Sequence, residues 1–145
     1  MNLRDLNTEM IVKGGFSYSL TFGDMSGTEN YACAMHKATE NVFDDLPTQS
    51  DYIEYVNNHI TLLAREDFVL GGWEHEGRFY LDVAQLLPKD EYSESNAIDV
   101  AVEREQLAIH DLETGNDVTC GDECFKCGAY VPSDEVYCPK CRTNQ

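Results

Sequence analysis

Two Cys-x-x-Cys pairs, Cys124 with Cys127 and Cys138 with Cys141, face each other across the ten residues GAYVPSDEVY. Thiolates are strong ligands for zinc, and a Cys-x-x-Cys turn brings two sulfurs to one ion while backbone amides point at them. Gly128, directly after Cys127, suits the left-handed backbone that such a knuckle needs, and Pro139 sits inside the second pair. The spacing predicts a zinc ribbon in which Cys124, Cys127, Cys138 and Cys141 hold one structural Zn2+. Its hairpin has PSDE at the tip and Tyr130, Val131, Val136 and Tyr137 on the arms. Four thiolates fill a tetrahedral site and leave no place for water, so the ion is architectural and not catalytic. Iron in a rubredoxin-like site would use the same ligands, and an oxidising compartment would pair them as disulfides instead. So short a segment has little core, and metal binding must supply its folding energy, on the order of 10–16 kcal/mol for zinc peptides. Cys120 is assigned no role, because the two x-x pairs make the more regular cage. Cys33 reads as a small buried apolar residue.

No catalytic constellation emerges elsewhere, and the chain is read as non-enzymatic. His36, His59, His75 and His110 are scattered without a His-x-x-x-His pair. Asp82, Asp111 and Glu113 fall on strand positions or ends, but the lysine that a nuclease-like centre would need is missing nearby. FGDMSG lacks the pattern of a phosphate loop, and the Gly-Gly pairs at Gly14 and Gly71 are too short to specify a nucleotide site. No catalytic residue and no further cofactor are assigned.

The elements that must carry the clip follow from length, charge and periodicity. A chain of 145 residues with 42% hydrophobic content can build one core with a small appendage. Net charge is −17, of which residues 120–145 account for −1 and residues 1–119 for −16. Such a body repels phosphate backbones and attracts basic surfaces, so a protein partner is expected over direct nucleic-acid binding. No apolar run approaches the roughly 20 residues of a membrane span, and no membrane contact is expected. Cysteines concentrated in the tail fit a cytoplasmic location.

GGFSYSLTFG and NYACAMHKA alternate as strands around the turn-forming GDMSGTEN and are predicted to pair antiparallel. Ile53, Val56, Ile60 and Leu63 predict a helix over 51–65 with Ser50 as N-cap. FVLGGW and RFYLDV flank EHEG as a hairpin, with Gly77 free to take positive φ. A second helix follows Pro88 and buries Ile98, Ala101 and Val102, and LAIHDLETGNDVTC forms a strand, a turn and a short partner strand. The predicted fold is α+β, ββαββαβ, with two helices packed on one face of a mixed or antiparallel sheet. The acidic body covers 1–119 and the ribbon 120–145.

The ordered string Gly71-x-Trp73, Tyr80-Leu-Asp-Val83 and Gln106 to Gly115 (QLAIHDLETG) resembles an uncharacterised family of small bacteriophage and mobile-element proteins with a GxW…YLDV…QxAIxDLxTG pattern. The resemblance spans roughly residues 10–116 and implies an origin without an activity. In that pattern Trp73 and Tyr80 are expected to pair across a hairpin, and Gln106 and Asp111 to satisfy backbone groups. The expected function is that of an accessory protein that binds a host or phage protein. In its sharper form it is an acidic, DNA-mimicking inhibitor of a basic nucleic-acid-binding protein. The alternative is a zinc-ribbon nucleic-acid-associated factor in transcription or replication.

Overall fold

The alternation in FVLGGWEH and RFYLDVAQLLP builds the centre of the fold, strands β5 (Phe68–His75) and β6 (Arg78–Pro88), in a computed structural model that describes residues 3–35 and 39–145. Glu76 and Gly77 join them with positive φ at both positions, the two-residue turn whose twist matches a hairpin. Four more strands precede this pair: β1 (Gly15–Ser19), β2 (Gly23–Asp24), β3 (Asn30–Ala34) and β4 (Asn41–Phe43). Two follow it in the same sheet, β7 (Ala108–Asp111) and β8 (Asp117–Thr119). The sheet runs β2-β1-β5-β6-β3-β7-β8 with every pairing antiparallel, and β4 continues alongside β6 beyond the end of β3.

The two N-terminal strands do not pair with each other as predicted; β5 and β6 lie between them. The turn closes β1 onto the two-residue β2, and the chain then crosses to the far side of β6, where Tyr31 and Cys33 stand opposite Leu87 and Gln85. The long central hairpin offers each N-terminal strand a fuller partner than either offers the other. His36 and the end of the predicted NYACAMHKA strand lie outside the described residues.

Four helices occur among the described residues, two more than predicted: α1 (Leu3–Lys13), α2 (Gln49–Asn58), α3 (Ile60–Leu63) and α4 (Glu94–Glu103). α1 buries Leu6 and Met10, one turn apart, and ends at Gly14 with φ of +83°. The predicted helix over 51–65 breaks at His59 into α2 and α3, and its N-cap is Thr48, not Ser50. Thr48 accepts from the Asp51 amide while Asp51 accepts from the Thr48 amide, a reciprocal box that Ser50 has no acid in place to complete. The buried face also differs. Tyr52, Tyr55 and Leu63 enter the core, whereas Ile53 and Ile60 face solvent. The tyrosines bury more area, and their hydroxyls find partners in Asn7 Oδ1 and the Thr39 carbonyl. α4, capped by Ser93, buries Ala97 and Ala101 and half-buries Ile98 and Val102.

All four helices lie on one face of the sheet. Phe16, Leu70, Leu81 and Val83 meet α1 to α3, and Tyr31, Cys33, Leu87 and Ile109 meet α4. The predicted α+β class and single covered face therefore hold. On the other face Met25, Ala32, Val69, Ala84, Leu86 and Leu112 form a smaller cluster. The Gly71-Gly72 pair allows close approach on both sides: a Cβ at Gly72 would lie 2.1 Å from the Phe16 ring, and one at Gly71 would lie 2.1 Å from Asp82 Oδ1.

Candidate metal centre

Each knuckle is the turn of its own small hairpin. The first, Cys124 to Cys127, joins β9 (Gly121–Glu123) to β10 (Tyr130–Pro132), which pair from Gly121 with Pro132 to Glu123 with Tyr130. The second, Cys138 to Cys141, lies within a bridge between Tyr137 and Asn144. The predicted hairpin around PSDE, with Tyr130 and Tyr137 on facing arms, is therefore replaced by two hairpins centred on the cysteines. The reason is local: a Cys-x-x-Cys knuckle followed by a left-handed residue already reverses the chain, so pairing spreads outward from it.

The two knuckles repeat one hydrogen-bond pattern. Gly128 donates to the Cys124 carbonyl at 2.8 Å and Cys124 to the Ala129 carbonyl at 2.7 Å. Arg142 donates to Cys138 and Cys138 to Thr143, both at 2.9 Å. Gly128 and Arg142 occupy equivalent left-handed positions, with φ of 76° and 62°.

This geometry brings together the four cysteines singled out by the sequence. Their sulfurs all lie within 4.8 Å of one another, with Cys124–Cys141 and Cys127–Cys138 at 3.6 Å. A disulfide needs about 2.05 Å, and the edge of a sulfur tetrahedron around zinc, at about 2.3 Å from metal to sulfur, is about 3.8 Å. The donor set and its spacing fit a four-coordinate ion with no open position. The Lys126 amide and Gln145 Nε2 each donate to Cys124 Sγ at 3.4 Å, and Thr143 Oγ1 stands 3.1 Å from Cys141 Sγ. The Cys127 and Lys126 amides, with Cys141, outweigh burial and pull the Cys124 thiol down to about 6; Thr143 draws Cys141 down as well. The Ala129 amide favours the Cys127 thiolate, but burial and the neighbouring thiols push that group up to about 11. Val131 is the one aliphatic side chain buried with Cys124 and Cys138.

Cys120 is not part of the cage. It is fully buried with Cys33, Ala97, Ala101 and Ile109 in the core beneath α4. From there the ribbon is tied directly to the body. Leu107 O accepts from the amides of Cys120 and Gly121, Cys120 O accepts from Ser133, and the Tyr130 hydroxyl donates to Gln106 O at 2.8 Å. Gly121 lies against the Tyr130 ring, where a Cβ would come within 2.4 Å.

The remaining chemistry-bearing residues serve the scaffold. The lysine absent from the sequence neighbourhood of Asp111 and Glu113 is Lys89, which stands 2.9 Å from Asp111 and 2.8 Å from Glu113, over the Tyr31 ring. It is 22 positions before Asp111 but reaches it across β3. Asp111 also accepts from the Glu113 and Thr114 amides, so the trio staples the β7–β8 turn. Burial works against the Asp111 charge, but Lys89 and these amides prevail and hold its carboxyl below the usual range. Gln106 donates to Met35 O, as a backbone-satisfying residue should. Trp73 and Tyr80 stand opposite each other and stack at 4.0 Å between centroids, as the hairpin predicted. Asp82, on the same face, is pushed up to about 6 by burial and then by Glu40, against a hydrogen bond from Trp73. His59 packs tilted against Tyr55, His75 lies near Glu76 and His110 bonds Asp117, so these three do not converge. Among the described residues no helix is long and apolar enough to cross a membrane. No protein-family model matches the chain, and no curated protein or solved structure shows significant similarity to it.

Proposed function

We propose that the ion is Zn2+ and that the clipped ribbon is a protein-binding surface on a non-enzymatic accessory factor of a phage or mobile element, acting in the host cytoplasm. One observation carries the binding role. Phe125, inside the first knuckle, is 75% exposed, and Val136 and Tyr137, entering the second, are 63% and 54% exposed. A 26-residue appendage with one buried aliphatic side chain thus holds three large apolar groups in water on a rigid, coordinatively closed frame. Exposed aromatics on a rigid support are typical anchors of protein interfaces. The phage assignment rests on the sequence resemblance alone.

A basic partner suits the charge. The body carries −16, and residues 90–105, which include α4, place six acids against the single base Arg104. In the sharper form those carboxylates stand in for phosphates before a nucleic-acid-binding protein. The test uses tagged wild type and a Phe125→Ser/Tyr137→Ser double variant against host lysate at rising salt. One protein captured stoichiometrically by wild type, released as salt rises and lost by the double variant at equal zinc content is the expected result. Equal capture by both proteins refutes the ribbon surface.

A second reading, a nucleic-acid-associated factor in transcription or replication, draws on Lys126, Lys140 and Arg142 lying on the same knuckles as the exposed aromatics. Aromatic stacking with nearby cations is how single strands are held. A mobility shift with single-stranded RNA or DNA at physiological salt would favour it over a protein partner.

A further inference from the structure

The edge of the sheet opposite the ribbon carries a groove of about 870 Å³ between α1 and α2. Tyr18 and Leu70 form its floor, and Ile11 and Ile53 rise from the helices as its walls. These wall residues are 63% and 50% exposed. None of the fourteen residues lining the groove is charged, in a chain with 37 ionised side chains. A largely apolar trough without ions, its rim carrying Asn7, Thr8, Thr48, Gln49 and Asn57, is favourable to fill with an apolar face and costs little desolvation of charge.

Charge selects the occupant. A second copy of the chain would set −17 against −17. Exposed Asp45 stands two residues before Pro47 of the lining, and Asp51 is bonded to Thr48, also of the lining; on the α1 side Lys13 is paired with Glu9. The surroundings therefore favour cations. α2, at ten residues, offers a wall about 15 Å long, enough for anchors at i, i+3 or i+4, and i+7 of a third helix lying beside the other two.

We infer that the α1–α2 groove seats an amphipathic helix of a partner protein, apolar on the entering face and rich in lysine or arginine along its flanks. This surface is independent of the ribbon and does not rest on the ribbon's role.

The probe is a fluorescent 18-residue helical peptide of leucine and lysine, with a leucine and glutamate counterpart of the same apolar pattern. Anisotropy is measured on the zinc-loaded full chain at physiological salt. The lysine peptide should bind at least tenfold more tightly than the glutamate peptide. Ile11→Ser/Ile53→Ser should weaken it at least tenfold, whereas Ile60→Ser, an exposed change outside the groove, should not. Thermal melts confirm that the variants, all at exposed positions, remain folded. No binding of the lysine peptide, or equal binding to the double variant, overturns the inference. So does a wild-type dimer in sedimentation that Ile53→Ser dissociates, because the groove would then be covered by a second copy. None of these results bears on Phe125 and Tyr137, so the two surfaces stand or fall separately.

Discussion

Asp82 shows how a single side chain can make stability depend on pH. Its carboxyl lies over bare Gly71, bonded by Trp73 and facing Glu40, and it holds its proton to about pH 6 against an ordinary value of 3.8. Between those values the folded chain binds more protons than the unfolded one, so stability falls as pH rises, and the penalty is complete above about 6. At about 1.4 kcal/mol per pKa unit, the loss is at most about 3 kcal/mol. Asp82→Asn keeps an acceptor for the Trp73 indole without the charge. Its melting temperature should exceed that of wild type at pH 7.5 and match it near pH 4; a lower melting temperature at pH 7.5 would contradict the assignment. The four sulfur ligands were legible because their chemistry is encoded in short local spacing. The Lys89 staple was not, since nothing local links it to Asp111, and the burial of Cys120 depended on where β8 met α4. Asp82 was visible as a strand carboxylate, but its environment arises from a glycine on the neighbouring strand.

At the level of elements, the β5–β6 hairpin is held as much by missing side chains as by present ones. Gly72→Ala would drive a methyl group into Phe16, whose ring already lies against Tyr52. Overpacking of this kind costs about 1–3 kcal/mol. The unfolding free energy from urea titration should drop by that amount, seen as a lower midpoint at unchanged slope, and Phe16→Leu in the same chain should recover part of it. If the double variant is no better, the cause is not the ring. This hairpin was legible because alternation and turn chemistry are both local. The partners of β1 and β3 were not, because choosing a neighbour in a sheet is a contest among distant segments. The stripe on α2 misled for a different reason: Ile53 and Ile60 have the right spacing, but Tyr52 and Tyr55 win the core through larger area and partnered hydroxyls. α1 had a readable signal in Leu6, Met10 and Gly14, obscured by the adjacent Ile11 and Val12, which are apolar but face solvent.

For the molecule as a whole, the core and the clip draw on different sources of stability. The body buries an extended apolar cluster, whereas the ribbon has Val131 and its cysteines. Purified protein should contain one zinc per chain by elemental analysis. Chelation should collapse the amide resonances of residues 121–145 while leaving those of α2 and β5 in place, and an ordered ribbon without metal would contradict the energetic role given to the ion. Metal uptake must also displace thiol protons, so affinity should weaken as pH falls.

The Tyr130 hydroxyl, bound to the carbonyl of Gln106, has a mechanical consequence. It fixes the ribbon beside the β7–β8 margin, while the α1–α2 trough lies at the β1 margin, on the other side of the central hairpin. Five strand steps separate β1 from β8, roughly 24 Å at about 4.8 Å per step. If both surfaces take partners, the number of strands between the two margins would set the distance at which those partners are held.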